Sequence, residues 1–253
     1  MGGLHATVVG SGERVVLVHG GVLAGELTWR GQLPLAERWR LEIVERAGYG
    51  RSRHLHDGED AAVDAPLIAE LLGDGAHLVG QSSGAVASIL AAGLRPEAVR
   101  SLTLSEPPAF QLAPDDPAAR QMQRDLVSLL DSDLEDDAAL RRFVEIVGSN
   151  AQIPDRLTPE LAAGIRALRA YGEGIPWALD LPLEQLASAP FPKLVISGDH
   201  SPAFEAVCDA LAARLGAERA PVTGAQHTTP HAGPAFNERL EAFLRAADAP
   251  SPA

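Results

Sequence analysis

The chain has 253 residues, of which 34 are acidic and 21 basic, so its formal net charge at pH 7 is −13. This excess of negative charge argues against binding to nucleic-acid phosphates, which requires clustered Lys and Arg. No apolar run approaches the roughly 18 residues needed to span a bilayer, and Cys208 is the only cysteine, so the chain forms no internal disulfide. We therefore expect a soluble cytoplasmic protein without nucleic-acid or membrane partners.

Short apolar runs alternate with helical patterns in the first 109 residues and again from residue 190 onwards. The predicted strands are 4–10, 14–20, 40–46, 77–81, 99–106, 193–198 and a short one near 218–222. The predicted helices are 27–39, 64–72, 83–93, 204–216 and 234–247. The first two strands flank a Ser-Gly turn signal and are predicted to form a hairpin. The alternation predicts an α/β fold with a mostly parallel central sheet and helices on both faces.

Residues 110–189 have a different sequence pattern from the rest of the chain. They contain helical stretches broken by prolines and acidic turns, and they contain no convincing strand. We therefore expect an α/β core formed by 1–109 and 190–253, with 110–189 inserted into it as a helical segment.

The stretch GQSSG at residues 80–84 lies where a predicted strand passes into a predicted helix. In an open parallel sheet, functional groups gather at the carboxyl ends of the strands. A nucleophile held on a sharp turn between strand and helix needs small residues two positions before and two after it. Gly80 and Gly84 meet this requirement for Ser82, whereas Ser83 would be flanked by Gln81 and Ala85. Ser82 is therefore the predicted nucleophile, and a turn with helix-capping serines is the simpler alternative.

Four motifs in order resemble those of the α/β-hydrolase superfamily: VLVHGG, ERAGYGRS, GQSSG and the His of the last strand's loop. The resemblance extends over nearly the whole chain and implies the α/β-hydrolase fold, with 110–189 as an inserted helical lid. It also implies an oxyanion hole formed by the backbone amides of Gly21 and Ser83. The second of these amides would lie at a helix N-terminus, where the helix dipole favours an anion.

The predicted general base is His227, which follows the last strand directly, while His231 lies beyond Pro230 and is the second candidate. The carboxylic acid that would orient His227 departs from the usual family pattern. In most members it follows the strand KLVIS, but here Gly198-Asp199-His200-Ser201 places a serine at the expected position. Some members carry the acid one strand earlier, and Glu106 in LSEPP occupies that place. Glu106 is therefore the preferred acid, with Asp199 as the alternative.

A serine nucleophile implies acyl substrates, because serine attack on an alkyl carbon would leave an ether that water does not cleave. The expected function is that of a serine hydrolase of a small carboxylic ester, lactone or thioester, without a cofactor or metal. Aromatic residues in or beside the lid are candidates to line the acyl pocket: Phe110, Tyr171, Trp177 and Phe191. Two alternatives stay open: a cofactor-free perhydrolase, lyase or oxygenase, and a non-catalytic ligand-binding protein.

Overall fold

The computed structural model describes residues 3–52, 58–171 and 175–249, and its centre is one seven-stranded sheet. The strands are β1 (His5–Val9), β2 (Arg14–Val18), β3 (Arg40–Glu45), β4 (Ala76–Gln81), β5 (Val99–Ser105), β6 (Lys193–Ser197) and β7 (Glu218–Pro221). Their order is β1-β3-β2-β4-β5-β6-β7, and every neighbouring pair is parallel except β1 with β3. The mostly parallel sheet predicted from the sequence is confirmed.

The predicted hairpin between the first two strands is wrong. β1 pairs antiparallel with β3, with Thr7 opposite Ile43, and β2 lies on the far side of β3. The glycines at the turn explain this difference. A Cβ on Gly10 or on Gly12 would come within 2.4 Å of backbone carbonyl oxygens in residues 36–39, the segment that leads into β3. The turn therefore packs on that segment and directs β1 to the edge beside β3.

Nine helices lie within the described residues. They are α1 (Gly25–Thr28), α2 (Ala61–Leu71), α3 (Ser83–Leu94), α4 (Pro117–Leu130), α5 (Asp136–Ile146), α6 (Pro159–Arg169), α7 (Leu183–Ser188), α8 (Pro202–Leu215) and α9 (Pro234–Asp248). None of these is long and apolar enough to cross a membrane. The helix predicted over 27–39 is wrong, since the chain forms only α1 and a 3₁₀ segment, Arg30–Glu37. Pro34 inside that segment lacks the amide proton that an α-helix needs.

Local capping determines where several of the helices begin. The side chain of Asp60 accepts hydrogen bonds from the first amides of α2, and the side chains of Asp116 and Thr158 do the same for α4 and α6. A proline occupies the first position of both α4 and α6, where its missing amide proton is not required.

Alternating side chains of the buried strands supply two apolar layers, one on each face of the sheet. Val16 and Val18 of β2 pack with α2, α3 and α8, whereas Val15 and Leu17 pack with the 3₁₀ segment and α9. The helices therefore cover both faces of the sheet, as the sequence predicts for strands that are apolar throughout.

The helices between β5 and β6 pack against different parts of the molecule. Within the described part of 110–189 there is no strand. α7 packs against the sheet core through Leu183 and Leu186, whereas α4, α5 and α6 form two apolar clusters of their own. Val22, from the loop after β2, belongs to one of these clusters, and Phe204 of α8 belongs to the other. α4–α6 therefore pack against elements at the carboxyl edge of the sheet.

A buried ionic cluster lies beneath that edge. The guanidinium of Arg46 contacts Asp64 (Nε–Oδ2, 2.8 Å) and Glu59 (Nη1–Oε2, 3.2 Å), and all three side chains are almost completely inaccessible. Burial alone would lower the pKa of Arg46, but the charges of Asp64 and Glu59 more than offset it, so the pKa is raised. The pKa of Glu59 is lowered despite its burial, chiefly by Arg46. Arg46 and Glu59 are therefore both ionised at neutral pH.

Glu59 joins this cluster to three other parts of the chain. Its carboxylate accepts hydrogen bonds from the hydroxyls of Tyr49, Tyr171 (2.7 Å) and Ser83 (3.1 Å). Tyr49 follows β3, Ser83 begins α3 and Tyr171 follows α6. One buried carboxylate thus connects the sheet edge, the central helix and the segment that covers them.

We predict that Glu59→Ala strongly destabilises the fold. The substitution leaves Arg46 buried with one carboxylate partner instead of two, and breaking a buried pair typically costs about 3–5 kcal/mol of unfolding free energy. Urea denaturation measures the change. Glu97→Ala is the matched control, because Glu97 pairs with Arg95 on the exposed surface and its removal should leave the denaturation midpoint nearly unchanged. Equal effects of the two substitutions would contradict the importance assigned to the buried cluster.

Candidate active site

Ser82 stands at the junction of β4 and α3 in a strained backbone conformation. Its φ of 53° and ψ of −129° lie in a region that non-glycine residues rarely adopt. Close packing on both sides explains why glycines surround it. A Cβ on Gly84 would lie 2.1 Å from the carbonyl oxygen of His19, and one on Gly80 would lie 2.6 Å from the Cα of Ala85. The sharp turn therefore requires glycine at both positions.

The two serines of the turn point to different partners. The Oγ of Ser82 lies 3.1 Å from the Nε2 of His227. The Oγ of Ser83 contacts the buried cluster instead, at 2.9 Å from the Nη1 of Arg46 and 3.1 Å from the Oε2 of Glu59. Only the hydroxyl of Ser82 is thus next to an imidazole.

His227 is held on several sides. Its Nδ1 lies 2.8 Å from the Oε2 of Glu106, and its ring stacks on that of Phe204 at a centroid distance of 4.5 Å. The side-chain amide of Gln81 donates a hydrogen bond to its backbone carbonyl (3.1 Å). When Nδ1 carries the proton and donates to Glu106, Nε2 is free to accept the proton of the Ser82 hydroxyl.

Glu106 follows β5, and its side chain is completely buried. It adopts a positive φ of 43°. One carboxylate oxygen accepts the amide of Gly198 (2.6 Å), and the other lies 2.8 Å from His227 and 3.1 Å from the Nε2 of His200. Burial would raise the pKa of Glu106, but the hydrogen bonds from the two imidazoles lower it below its ordinary value of 4.5. The group is therefore a carboxylate at neutral pH.

The alternative acid and the alternative base lie away from this constellation. Asp199 is exposed, and its carboxylate accepts a hydrogen bond from the hydroxyl of Thr223 (2.9 Å). Its alternative role as the acid is therefore not supported, because the carboxylate beside His227 comes from Glu106. His231 points its Nε2 at the carbonyl oxygen of Leu27 (3.2 Å) at the side of a cavity. It does not contact Ser82.

The two expected oxyanion-hole residues line different cavities that both border Ser82. Gly21 and Ser82 line one cavity, and Ser83 provides the first amide of α3. The neighbouring amide of Val22 is occupied, since it donates to the hydroxyl of Tyr49 (3.0 Å). Gly21 also has to be a glycine, because a Cβ there would lie 2.7 Å from a carboxylate oxygen of Glu59.

His19 is a structural residue of the loop that carries Gly21. Its Nδ1 lies 2.7 Å from the carbonyl oxygen of Gly20, and its Nε2 accepts the amide of Arg46 (3.0 Å). Burial and the nearby charge of Arg46 lower its pKa to about 3. The ring is therefore neutral at ordinary pH and fixes the loop through both nitrogens.

A cavity of about 580 Å³ extends from Ser82 between the loop after β2 and helices α5 and α6. Its lining combines apolar side chains such as Leu140 and Val144 with polar groups such as Asn150 and Gln152. Among the described residues that line it, Arg30 is the one Lys, Arg, Asp or Glu, in a chain that has 34 acidic residues. The cavity therefore favours a neutral or anionic molecule over a cationic one.

A second, much smaller cavity of about 30 Å³ lies on the other side of Ser82. It is almost entirely apolar and is lined by residues that include Leu126, Val147, Tyr171 and Trp177. Its volume suits a group of one or two heavy atoms.

Two of the four aromatic residues expected in the pocket lie elsewhere. Phe110 is buried behind the small cavity, where its ring contacts those of Trp177 (5.7 Å) and Phe204 (6.0 Å). Phe191 packs into the sheet core beside Lys193 instead, because it lies immediately before β6. Neither of these two side chains lines the two cavities beside Ser82, whereas Tyr171 and Trp177 line the small one.

Sequence reasoning missed the side chains that support the constellation. His200 contacts Glu106 although it lies in the loop where the usual acid is absent, and the Gly-Asp-His-Ser stretch was the one available signal. Phe204, which stacks on His227, gave no signal because it falls within an ordinary amphipathic helix. The pairing of Arg46 with Glu59 was also unrecognisable, since it depends on tertiary packing.

Comparison with known proteins identifies relatives of this chain. The model of the Alpha/beta hydrolase family matches residues 15–246. A pimeloyl-[acyl-carrier protein] methyl ester esterase from Methylococcus capsulatus is 33% identical over 203 residues, which cover 73% of this chain and 78% of that protein.

Solved structures share the fold at lower identity. A crystal structure of an alpha/beta hydrolase from Sphaerobacter thermophilus superimposes with a TM-score of 0.67 and 23% identity, covering 95% of this chain and 96% of that one. A hydrolase from Pseudomonas aeruginosa gives the same TM-score with 22% identity, covering 95% and 94%. The sheet order and the extent of the family match agree, and this chain belongs to the alpha/beta hydrolase family.

Proposed function

We propose that the protein is a serine hydrolase that cleaves a carboxylic ester through an acyl-enzyme intermediate. The observation that carries this proposal is the continuous chain of contacts from the Ser82 hydroxyl through His227 to Glu106. It begins at a strained turn and opens onto a cavity large enough for a small-molecule acyl substrate. A hydrolase role is also what family membership and the esterase-named relative support.

The proposed reaction starts when Nε2 of His227 takes the hydroxyl proton of Ser82 as Oγ adds to the carbonyl carbon. The carbonyl π electrons move to oxygen, and that oxyanion accepts hydrogen bonds from the amides of Gly21 and Ser83. The imidazolium then gives its proton to the departing alcohol oxygen as the ester C–O bond breaks. Water repeats the sequence on the acyl-enzyme and releases the acid.

Glu106 would stabilise the imidazolium that forms in each half of the reaction. Its carboxylate is already ionised and in contact with Nδ1, so no proton needs to move to it. Because the group is buried, its charge acts on His227 with little screening by water.

The different volumes of the two cavities suggest which part of the substrate each one binds. We propose that the acyl chain occupies the larger cavity and that a small alcohol, such as methanol, occupies the smaller one. The relative from Methylococcus capsulatus is named for a methyl ester, which agrees with a small leaving group. Helices α4–α6 of the proposed lid, 110–189, would cover the acyl chain and exclude water.

We predict that a fluorophosphonate probe labels the wild-type protein and does not label Ser82→Ala. The probe reacts with a serine only where a base activates it and donors stabilise the developing negative charge. Intact-protein mass spectrometry measures the labelling. Ser83→Ala is the second variant, and it should retain a label because its hydroxyl faces the buried cluster. A folded wild-type protein that neither labels nor cleaves any activated ester would support the non-catalytic alternative.

We predict that Glu106→Gln lowers kcat by roughly 10²–10⁴-fold, because a neutral amide does not stabilise the imidazolium. Asp199→Asn is the matched control and should retain most of the activity, since Asp199 contacts Thr223 at the surface. Steady-state hydrolysis of a methyl ester, followed by pH-stat titration of the acid released, measures both. The opposite ranking of the two variants would transfer the acid role to Asp199.

We predict that kcat/KM falls at least tenfold when the alcohol of an ester is lengthened from methyl to butyl with the acid kept the same. The small cavity has no room for three more methylene groups, whereas each methylene added to the acyl side can gain about 0.8 kcal/mol by burial. Trp177→Ala enlarges the small cavity and should reduce the preference for methyl. An unchanged preference in this variant would contradict the assignment of the alcohol to that cavity.

A further inference from the structure

One carboxylate oxygen of Glu106 contacts two imidazole rings. The Oε2 atom lies 2.8 Å from Nδ1 of His227 and 3.1 Å from Nε2 of His200. The proposed reaction uses only the first of these contacts. His200 is therefore a partly buried titratable group beside the reacting residues for which the reaction gives no role.

The surroundings of His200 direct its ring at Glu106. Its side chain is only 10% exposed, and its ring lies 6.0 Å from that of Phe204, which itself stacks on His227. On the other side Gly148 comes close, since a Cβ there would be 2.7 Å from Nδ1 of His200. The ring is thus held between α8 and the turn that follows α5.

The hydrogen-bond requirements define the tautomer. The Glu106 carboxylate only accepts, so Nε2 of His200 has to carry a proton to form the contact. With Gly198 donating to Oε1, three N–H groups surround the two oxygens. A neutral imidazole is sufficient for this, and no second positive charge is needed next to His227.

We propose that His200 is a positioning residue for the catalytic machinery: its Nε2–H holds the Glu106 carboxylate in the orientation that contacts His227. The proposal rests on the proposed function. Glutamate has one more rotatable bond than the aspartate usual in the family, so a single contact to His227 leaves its carboxylate free to turn. Two further donors, from Gly198 and His200 in the loop after β6, remove that freedom.

The contact also determines how much negative charge lies beside His227. The pKa of Glu106 is lowered, with His200 and His227 both contributing. The other titratable group close to Glu106 is the thiol of Cys208 on α8, and burial raises its pKa, so it is neutral. Gly148, the residue facing His200 from the end of α5, carries no charge. Once His200 no longer holds it, the carboxylate is free to turn away, and less negative charge is left beside the His227 imidazolium.

The test compares His200→Phe, which keeps an aromatic ring and removes the donor, with His200→Gln, which restores an N–H at similar reach. We expect His200→Phe to lower kcat by roughly 10–100-fold with KM changed less than about threefold, since an interaction that acts in the transition state is lost. The acid limb of its kcat/KM profile should move to lower pH, because a carboxylate that turns away from His227 stabilises the imidazolium less. His200→Gln should recover most of kcat and the original limb.

A double-mutant cycle adds a readout that a merely structural role would not give. If His200 acts through Glu106, then adding His200→Phe to Glu106→Gln should lower kcat by less than about threefold further. Full additivity, an unmoved acid limb or no recovery in His200→Gln would overturn the proposal. Asp199→Asn, next to His200 in the chain, is the control for disturbance of the loop.

A measurement without turnover separates this proposal from the proposed function. In Ser82→Ala labelled with ¹⁵N-histidine, NMR at neutral pH should find His200 as the Nε2–H tautomer with a slowly exchanging proton. The Nδ1–H tautomer, or a freely exchanging proton, would overturn the contact even if the enzyme hydrolyses esters. The expected tautomer in a wild-type protein without any hydrolase activity would instead contradict the proposed function.

Discussion

The backbone strain at Ser82 is the constraint on which the rest of the site depends. A non-glycine residue at φ 53° and ψ −129° costs on the order of 1–3 kcal/mol, so the surrounding structure has to hold it there. The close contacts at Gly80 and Gly84 do this by pressing α3 against the ends of β4 and β2. The same turn places Ser82 at the cavity, and the next residue, Ser83, supplies the first amide of α3. Proposed nucleophile and proposed oxyanion donor thus share one strained corner.

The position of the proposed acid, Glu106, illustrates how an open parallel sheet allows a functional group to move from one strand end to the next. β5 and β6 are neighbours, and residues after either strand reach the same edge, so a carboxylate at the end of β5 approaches His227 from beside the usual place. The loop after β6 still contributes to the site, because its residues Gly198 and His200 both contact the Glu106 carboxylate. A glutamate is longer than an aspartate, and the additional donors from this loop match the additional freedom of its side chain.

Much of this could be predicted from the sequence, because motifs report local geometry. The small residues around Ser82 and the absence of an acid at Ser201 are visible without a structure, and both directed attention to the residues that come together. Contacts between residues that are distant in the sequence are not visible in such motifs. The turn before β2 does not indicate whether β1 lies beside β2 or beside β3, since its contact with residues 36–39 forms only in the folded chain. Similarly, composition does not show that Phe191 faces the sheet while Trp177 faces a cavity.

Ser83 links stability to the proposed chemistry more directly than any other residue. Its amide is one of the two proposed oxyanion donors, while its hydroxyl contacts Arg46 and Glu59 in the buried cluster. Glu59 also accepts the hydroxyl of Tyr49, and that hydroxyl in turn accepts the amide of Val22 beside Gly21. Both proposed oxyanion donors are therefore fixed by one ionised cluster. Donors held in this way need little reorganisation as charge develops, which is the condition under which such groups stabilise a transition state most strongly.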